Sequence, residues 1–243
     1  MTIRIETAGR THVGLVRRRN EDSLRVGRSL VAVADGLGGH VAGDIASATV
    51  IAALEPHDRQ VDPAELPSAL GRAVSATHHA LSRRIEAQPE LAGMGSTLVA
   101  MLWSGTVAVL ANLGDSRAYL RRDVGSGRKK ITQITEDHTY AHLVAGAAGV
   151  PDLPERLTRW LDGRPDGRSP DLTTWDLRPG DRFLLCSDGL SSFVPFDLIR
   201  AALTSPEGPD ETADRLITLA IDHGGPDNVT VIVIDISDVG AFV

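Results

Sequence analysis

Eight short runs of aliphatic and β-branched residues set the strongest limit on how this chain can fold. They are "TIRIET", "SLVAVAD", "STLVAMLW", "TVAVLANLG", "SRAYLRR", "DLTTWDL", "DRFLLCSD" and "NVTVIVIDI". Most are bounded by Gly, Asp, Asn or Pro, as strands are. Several follow one another through short loops, which predicts a largely antiparallel arrangement. "WSGT" reads as a hairpin turn round Ser104 and Gly105, and the polar "RRDVGSGRKK" as another hairpin loop. Helical periodicity is confined to four segments. Residues 43–55 are small and apolar; 64–88 carry Leu70, Val74, Leu81 and Ile85; 209–224 have an acidic start and a glycine stop; "FDLIRAAL" is shorter. Two helices come early between strands and two come late, which predicts sheets covered by helices in one compact unit.

Such a unit needs a core, and 42% hydrophobic residues supply one, but aromatics make up only 4%. The core must come from Val, Leu, Ile and Ala, and an aromatic platform for single-stranded nucleic acid is not expected. The net charge of −7 also argues against a nucleic-acid backbone as partner. A chain of 243 residues fits a single domain over residues 1–243. The lone cysteine, Cys186, excludes an internal disulfide framework and reads as a small buried hydrophobe. With no apolar leader and no run near the ~18 apolar residues of a membrane span, a cytoplasmic location without a membrane segment is expected. Residues 138–170, rich in Gly, Pro and Asp, form a long irregular stretch of the kind that serves as a lid.

The chemistry concentrates where strands end. Asp35 closes "SLVAVAD" and precedes Gly36; Asp188 closes "DRFLLCSD" and precedes Gly189. Asp115 lies in the turn of "ANLGDSR", and Asp227 precedes the strand of "GGPDNVTVIVI". Each alone reads as an ordinary turn residue. Brought together, the four would repel, at ~4 Å and an effective dielectric of ~20 by on the order of 4 kcal/mol per pair. Protonation, arginine pairing or a hard divalent cation would relieve that repulsion. With no cysteine pair and no HExxH, zinc has little support, and all-oxygen ligation favours Mg²⁺ or Mn²⁺. Two such ions can share a carboxylate and activate a water between them. A glycine after the aspartate lets a backbone carbonyl approach a metal. "GLVRRRNEDS" offers Arg17, Arg18 and Arg19 as partners for a phosphoryl group; on a strand, at most one or two would reach a common site.

These pieces, with "GSTLVAML", "ITEDHT" and "LTRWL", resemble in order and spacing the metal-dependent type 2C protein serine/threonine phosphatases (the PPM family) in their bacterial form, over residues 14–234. The resemblance implies an α+β fold: a four-layer α/β/β/α sandwich of two central antiparallel sheets flanked by helices. It implies hydrolysis of phosphoserine and phosphothreonine monoesters by a water bridging two Mn²⁺ or Mg²⁺ ions, without a covalent phosphoenzyme. Phosphorylated proteins are then the expected partners, nucleic acid is not, and a monomer is expected.

Carried over by residue, Asp35 matches the bridging carboxylate, and Gly36 offers its carbonyl to the second ion. Asp188 and Asp227 match ligands of the first ion, Glu21 an acid near the second, and Asp115 a ligand of a third, weaker one that Asp188 would share. Arg17 matches the phosphate-binding arginine, which leaves Arg18 and Arg19 at the surface and Asn228 to orient its turn. His40 stands where it would either protonate the leaving alkoxide or open the following helix. Two departures stand out: Leu37 follows "DG" where eukaryotic members often have histidine, and the flap reads only "YAHLVAGAAGVPDLPER" before "LTRWLDG". A non-catalytic phosphoprotein-binding domain and a phosphoesterase acting on small molecules are the alternatives.

Overall fold

Along residues 30–34, Leu30, Ala32 and Ala34 bury into one apolar layer and Val31 and Val33 into another, the alternation of a strand covered on both faces. The computed structural model, which describes residues 2–38, 42–143, 156–164 and 169–239, carries the same alternation across two sheets. One runs β1 (Ile3–His12), β11 (Val229–Asp238), β10 (Arg182–Cys186), β7 (Arg117–Asp123), β8 (Lys129–Gln133). The other runs β2 (Asp22–Val26), β3 (Leu30–Leu37), β5 (Leu98–Ser104), β6 (Val107–Leu113), β9 (Asp171–Asp176), with the two-residue β4 (Gly95–Ser96) paired to the end of β3. All of these pairings are antiparallel.

Val33, Met101, Phe183 and Ile232 fill the space between the sheets. Helices α1 (Gly43–Leu54) and α2 (Leu66–Ala87) cover the second sheet through Ala46, Val50, Leu70 and Leu81. On the other side, α5 (Phe196–Thr204) and α6 (Pro209–Asp222) cover the first through Ile199, Leu203 and Leu216. Three apolar layers thus hold the four-layer α+β sandwich together. Two four-residue helices complete the frame: α3 (Tyr140–Leu143), and α4 (Asp188–Ser191), whose Leu190 joins the layer under α5 and α6. Cys186 is buried in the layer under α5 and α6, and burial pushes its thiol up to about 12, in keeping with a structural role. Among the described residues no helix is long and apolar enough to cross a membrane.

Register brings the chemistry to one end. The ten-residue ladder from Ile3↔Asp238 to His12↔Val229 sets the loop after β1, which holds the arginines, beside the turn before β11, which holds Asp227. Asp22 stands opposite Asp35, and Cys186 opposite both Val231 and Arg117, so Asp188 and Asp115 leave their strands at the same end.

The sequence reading needs correction in places. The eight runs omit β2 and β8, whose "DSLRV" and "KKITQ" carry the charges typical of sheet edges, where both strands lie. Asp35 is not the last residue of its strand, because β4 pairs Gly36 and Leu37 and carries β3 two residues further. Arg17, Arg18 and Arg19 lie in a loop rather than on a strand. The irregular stretch 138–170 is anchored by bridges Thr139↔Leu157 and Ser96↔Leu161. Most of the shortened flap (144–155) and His40 fall outside the described residues.

Candidate metal centre

Asp35 is fixed through its backbone. Its N–H donates to Thr97 Oγ1 (3.1 Å), and its carbonyl accepts from Thr97 N–H (2.8 Å) and Ser96 Oγ (3.0 Å). Thr97 Oγ1 also meets Ser116 Oγ at 2.7 Å, which ties Asp35 to the turn that carries Asp115. On the other side of that turn, Gly114 N–H donates to His138 Nδ1 (3.1 Å), and His138 Nε2 meets Asp171 (3.0 Å) and Arg159.

Glycines set the closeness of the chains. A Cβ on Gly36 would stand 2.0 Å from the Gly43 carbonyl oxygen and 2.7 Å from that of Glu21, so the bare position admits backbone. A Cβ on Gly43, at the start of α1, would lie 2.8 Å from Glu21 Oε2 and 2.9 Å from the Gly36 carbonyl oxygen. The Glu21 carboxylate and the Gly36 carbonyl therefore face one small space. A Cβ on Gly189 would fall 1.8 Å from the Asn228 carbonyl oxygen, so the turn of Asp188 presses directly on the turn of Asp227.

Asn228 is the clasp of the arginine loop. Its side chain accepts from Glu21 N–H (2.8 Å) and donates to the carbonyls of Val13 (2.9 Å) and Arg19 (2.8 Å). Arg17 Nη2 donates to Asp227 Oδ2 at 2.7 Å, while Arg18 and Arg19 are exposed.

Two cavities with shared walls open on these residues. The smaller, about 470 Å³, is lined by Arg17, Glu21, Asp35, Gly36, Asp188 and Asp227 among others. The larger, about 660 Å³, shares Arg17, Asp35, Asp188 and Asp227 and reaches Asp115 and Phe193. Burial, then the charges of Asp22, Asp188, Asp115 and Asp227, raise Asp35 well above the usual carboxylate range. Burial and the Asp188 charge push Asp115 up to about 7, and burial and Asp227 raise Asp188. Glu21 is raised as well, chiefly by burial. The acids are all oxygen donors, and Asp35 and Asp188 line both cavities with Glu21 in one and Asp115 in the other, so hard divalent cations suit the set. Among the described residues no three Asp, Glu, His or Cys side chains close round one point by themselves. Backbone carbonyl donation from Gly36 and the hold of Arg17 on Asp227 fit that observation.

Of the site residues expected from sequence, all line the two cavities except His40, which lies outside the described residues. Sequence reasoning missed Asp22. It is buried behind the cavities, takes a hydrogen bond from Ser187 Oγ (2.7 Å) on one oxygen, and leaves Oδ1 without a partner among the described residues. Burial is the first cause that pushes it up to about 7. The signal was the run "NEDS", in which only the register with Asp35 separates Asp22 from a surface acid. Gly43 was likewise visible only as one small residue at a helix start.

The chain is similar to known proteins of one family. A family model described as Protein phosphatase 2C matches residues 16–218. The Serine/threonine protein phosphatase PstP of Mycobacterium tuberculosis (strain H37Rv) is 43% identical over 98% of this chain, which spans 46% of that relative's length. The Serine/threonine phosphatase stp of Listeria monocytogenes is 34% identical over 93% of this chain and 94% of its own. A crystal structure of the catalytic domain of PstP in complex with two manganese ions superposes with a TM-score of 0.87, at 44% identity, over 98% of this chain and all of that one.

Proposed function

Because the chain belongs to the protein phosphatase 2C family, we propose that it is a metal-dependent serine/threonine protein phosphatase that hydrolyses phosphoserine and phosphothreonine in proteins. The observation that carries this reading is the convergence of Asp35, Asp188, Asp227, Asp115 and Glu21 with the Gly36 carbonyl and Arg17 on two cavities with shared walls.

In this reading Asp35, Asp188 and Asp227 would hold one Mn²⁺ or Mg²⁺ ion, Asp35 with the Gly36 carbonyl and Glu21 a second, and Asp115 with Asp188 a third. When bound, the ions would supply positive charge for the phosphoryl oxygens and would lower the pKa of water. The chain's own residues do the rest. Arg17 takes the phosphoryl oxygens with its planar fork, which suits two oxygens as a lysine does not. To do so its guanidinium exchanges Asp227 for the substrate, and its exposed position leaves it room to turn. Asn228 keeps the arginine loop and Glu21 in fixed relation while this happens. Asp22, opposite Asp35 in the β2–β3 pairing, adds negative charge that raises the affinity of Asp35 for positive charge.

A phosphothreonine peptide assayed with Mn²⁺ and with chelator tests the reading. The expected result is Mn²⁺-dependent release of phosphate that falls by about 10²–10³ in Asp35→Asn, the scale of losing a preorganised electrostatic element. Hydrolysis that survives chelation, or an Asp35→Asn enzyme as active as wild type, would overturn it.

A further inference from the structure

The 660 Å³ cavity extends beyond what a phosphoryl group needs. Beside Asp115, Arg117 and other polar groups, its lining includes the apolar side chains of Leu37, Ala141, Leu157 and Phe193. The place of Phe193 follows from the way α4 ends. Ser192 N–H donates to the Asp188 carbonyl (2.8 Å) and Val194 N–H to that of Leu190 (3.0 Å), so the helical winding continues as far as Val194. Leu190 and Val194, four residues apart, are buried in the layer beneath α5 and α6. Phe193 is therefore turned away from that layer and keeps 40% of its surface exposed. One exposed phenylalanine is ordinary on a protein surface. This one lines the same cavity as Asp188, five residues earlier on the same turn, and shares it with Leu157 and Ala141.

We propose that this wall, centred on Phe193, receives an apolar side chain of the substrate next to the phosphorylated residue. The preferred substrates are then phosphoproteins with an aliphatic or aromatic residue flanking the phosphoserine or phosphothreonine. The inference rests on the phosphatase reading and adds the class of sequence to it. The wall lines the same cavity as Arg17 and the carboxylates, so a chain whose phosphate lies there has its flanking residues within reach of it. Among the described residues an acidic flank finds no free cation here: of the two arginines that line the cavity, Arg17 is taken by the phosphoryl group, and Arg117 is committed to Asp137 through Nε (3.0 Å) and Nη2 (2.6 Å). Asp115 and Asp137 line the same space and repel a second acid.

The test uses two phosphothreonine peptides that differ only in leucine or serine at the positions flanking the phosphothreonine. Both are assayed with Mn²⁺ against wild type, Phe193→Ser and Phe193→Leu. The expected kcat/KM ratio favours the leucine peptide by about tenfold in wild type, in the range by which an apolar pocket discriminates. The ratio falls to about one in Phe193→Ser and persists in Phe193→Leu. Equal rates on both peptides in wild type, or a ratio that survives in Phe193→Ser, overturn the apolar wall and leave the phosphatase reading standing. Hydrolysis of neither peptide overturns both. The wild-type ratio alone decides the matter if a variant fails to fold.

Discussion

Without divalent cation, the buried acids should make this fold less stable as pH rises, and Asp22 carries part of that effect. The residue is 7% exposed, and its carboxyl receives a hydrogen bond from Ser187 and is pushed from 3.8 up to about 7, chiefly by burial. A carboxyl raised on folding keeps its proton longer in the native chain than in the unfolded one. Its contribution to stability is therefore full below about pH 4 and lost as pH rises towards 7. With each pH unit worth about 1.4 kcal/mol, Asp22 alone should remove about 2–3 kcal/mol between pH 5 and pH 8. Asp35, Asp115 and Asp188 act in the same direction. His57 and His138, both lowered mainly by burial, act in the opposite direction below their ordinary 6.5. Asp58 and Asp171 are held below 3.8 and have finished titrating before this window. Subtracting an Asp22→Asn variant removes the histidine contribution. The assay is urea denaturation followed by tryptophan fluorescence, in chelator, at pH 5, 6, 7 and 8. Wild type should lose about 2–3 kcal/mol more than the variant across that range. Millimolar Mn²⁺ should restore stability at pH 8. Equal pH slopes in the two proteins, or a chelated wild type most stable at pH 8, would refute the reasoning.

Two further outcomes follow from close contacts. Gly189→Ala places a Cβ 1.8 Å from the Asn228 carbonyl oxygen. The turns of Asp188 and Asp227 must then part by about an ångström, which should cost about 1–3 kcal/mol in urea denaturation and about 10²-fold in Mn²⁺-dependent kcat. Asn228→Ala deletes three hydrogen bonds from a side chain that is 6% exposed, and should lower stability by about 3 kcal/mol, read by the same denaturation.

The sandwich was legible because its strands alternate and its helices keep their period: residues 43–55 and 209–224 were expected as helices, and α1 and α6 occupy Gly43–Leu54 and Pro209–Asp222. The edge strands β2 and β8 were hidden because an edge needs charges more than it needs an apolar face. Asp35, Asp115, Asp188 and Asp227 stood out because each lies at or near a strand end in a turn with glycine. What remained invisible depends on contacts between distant segments. Asp22 is distinguished from its neighbours only by standing opposite Asp35, and Gly189 only by the Asn228 carbonyl that presses on it. Local spacing carries no trace of either.

Asp22 also bears on why the site is built as it is. An apolar residue in its place would remove a buried acid and its unpartnered oxygen, and the fold would gain stability. The acid instead raises the proton affinity of Asp35, and by the same field it raises the affinity of that position for a divalent cation. A cation of charge two gains about twice what a proton gains from that field, so at neutral pH the balance favours the ion. Folding and ion binding are thereby linked: the ion returns the stability that the acids remove. On this argument Asp22→Asn should make the chelated protein more stable at pH 8 and at the same time weaken its hold on Mn²⁺. A titration of Mn²⁺ by calorimetry reads the second effect independently of catalysis. A variant that gains stability while binding Mn²⁺ as tightly as wild type would show that the buried charge plays no part in holding the ions.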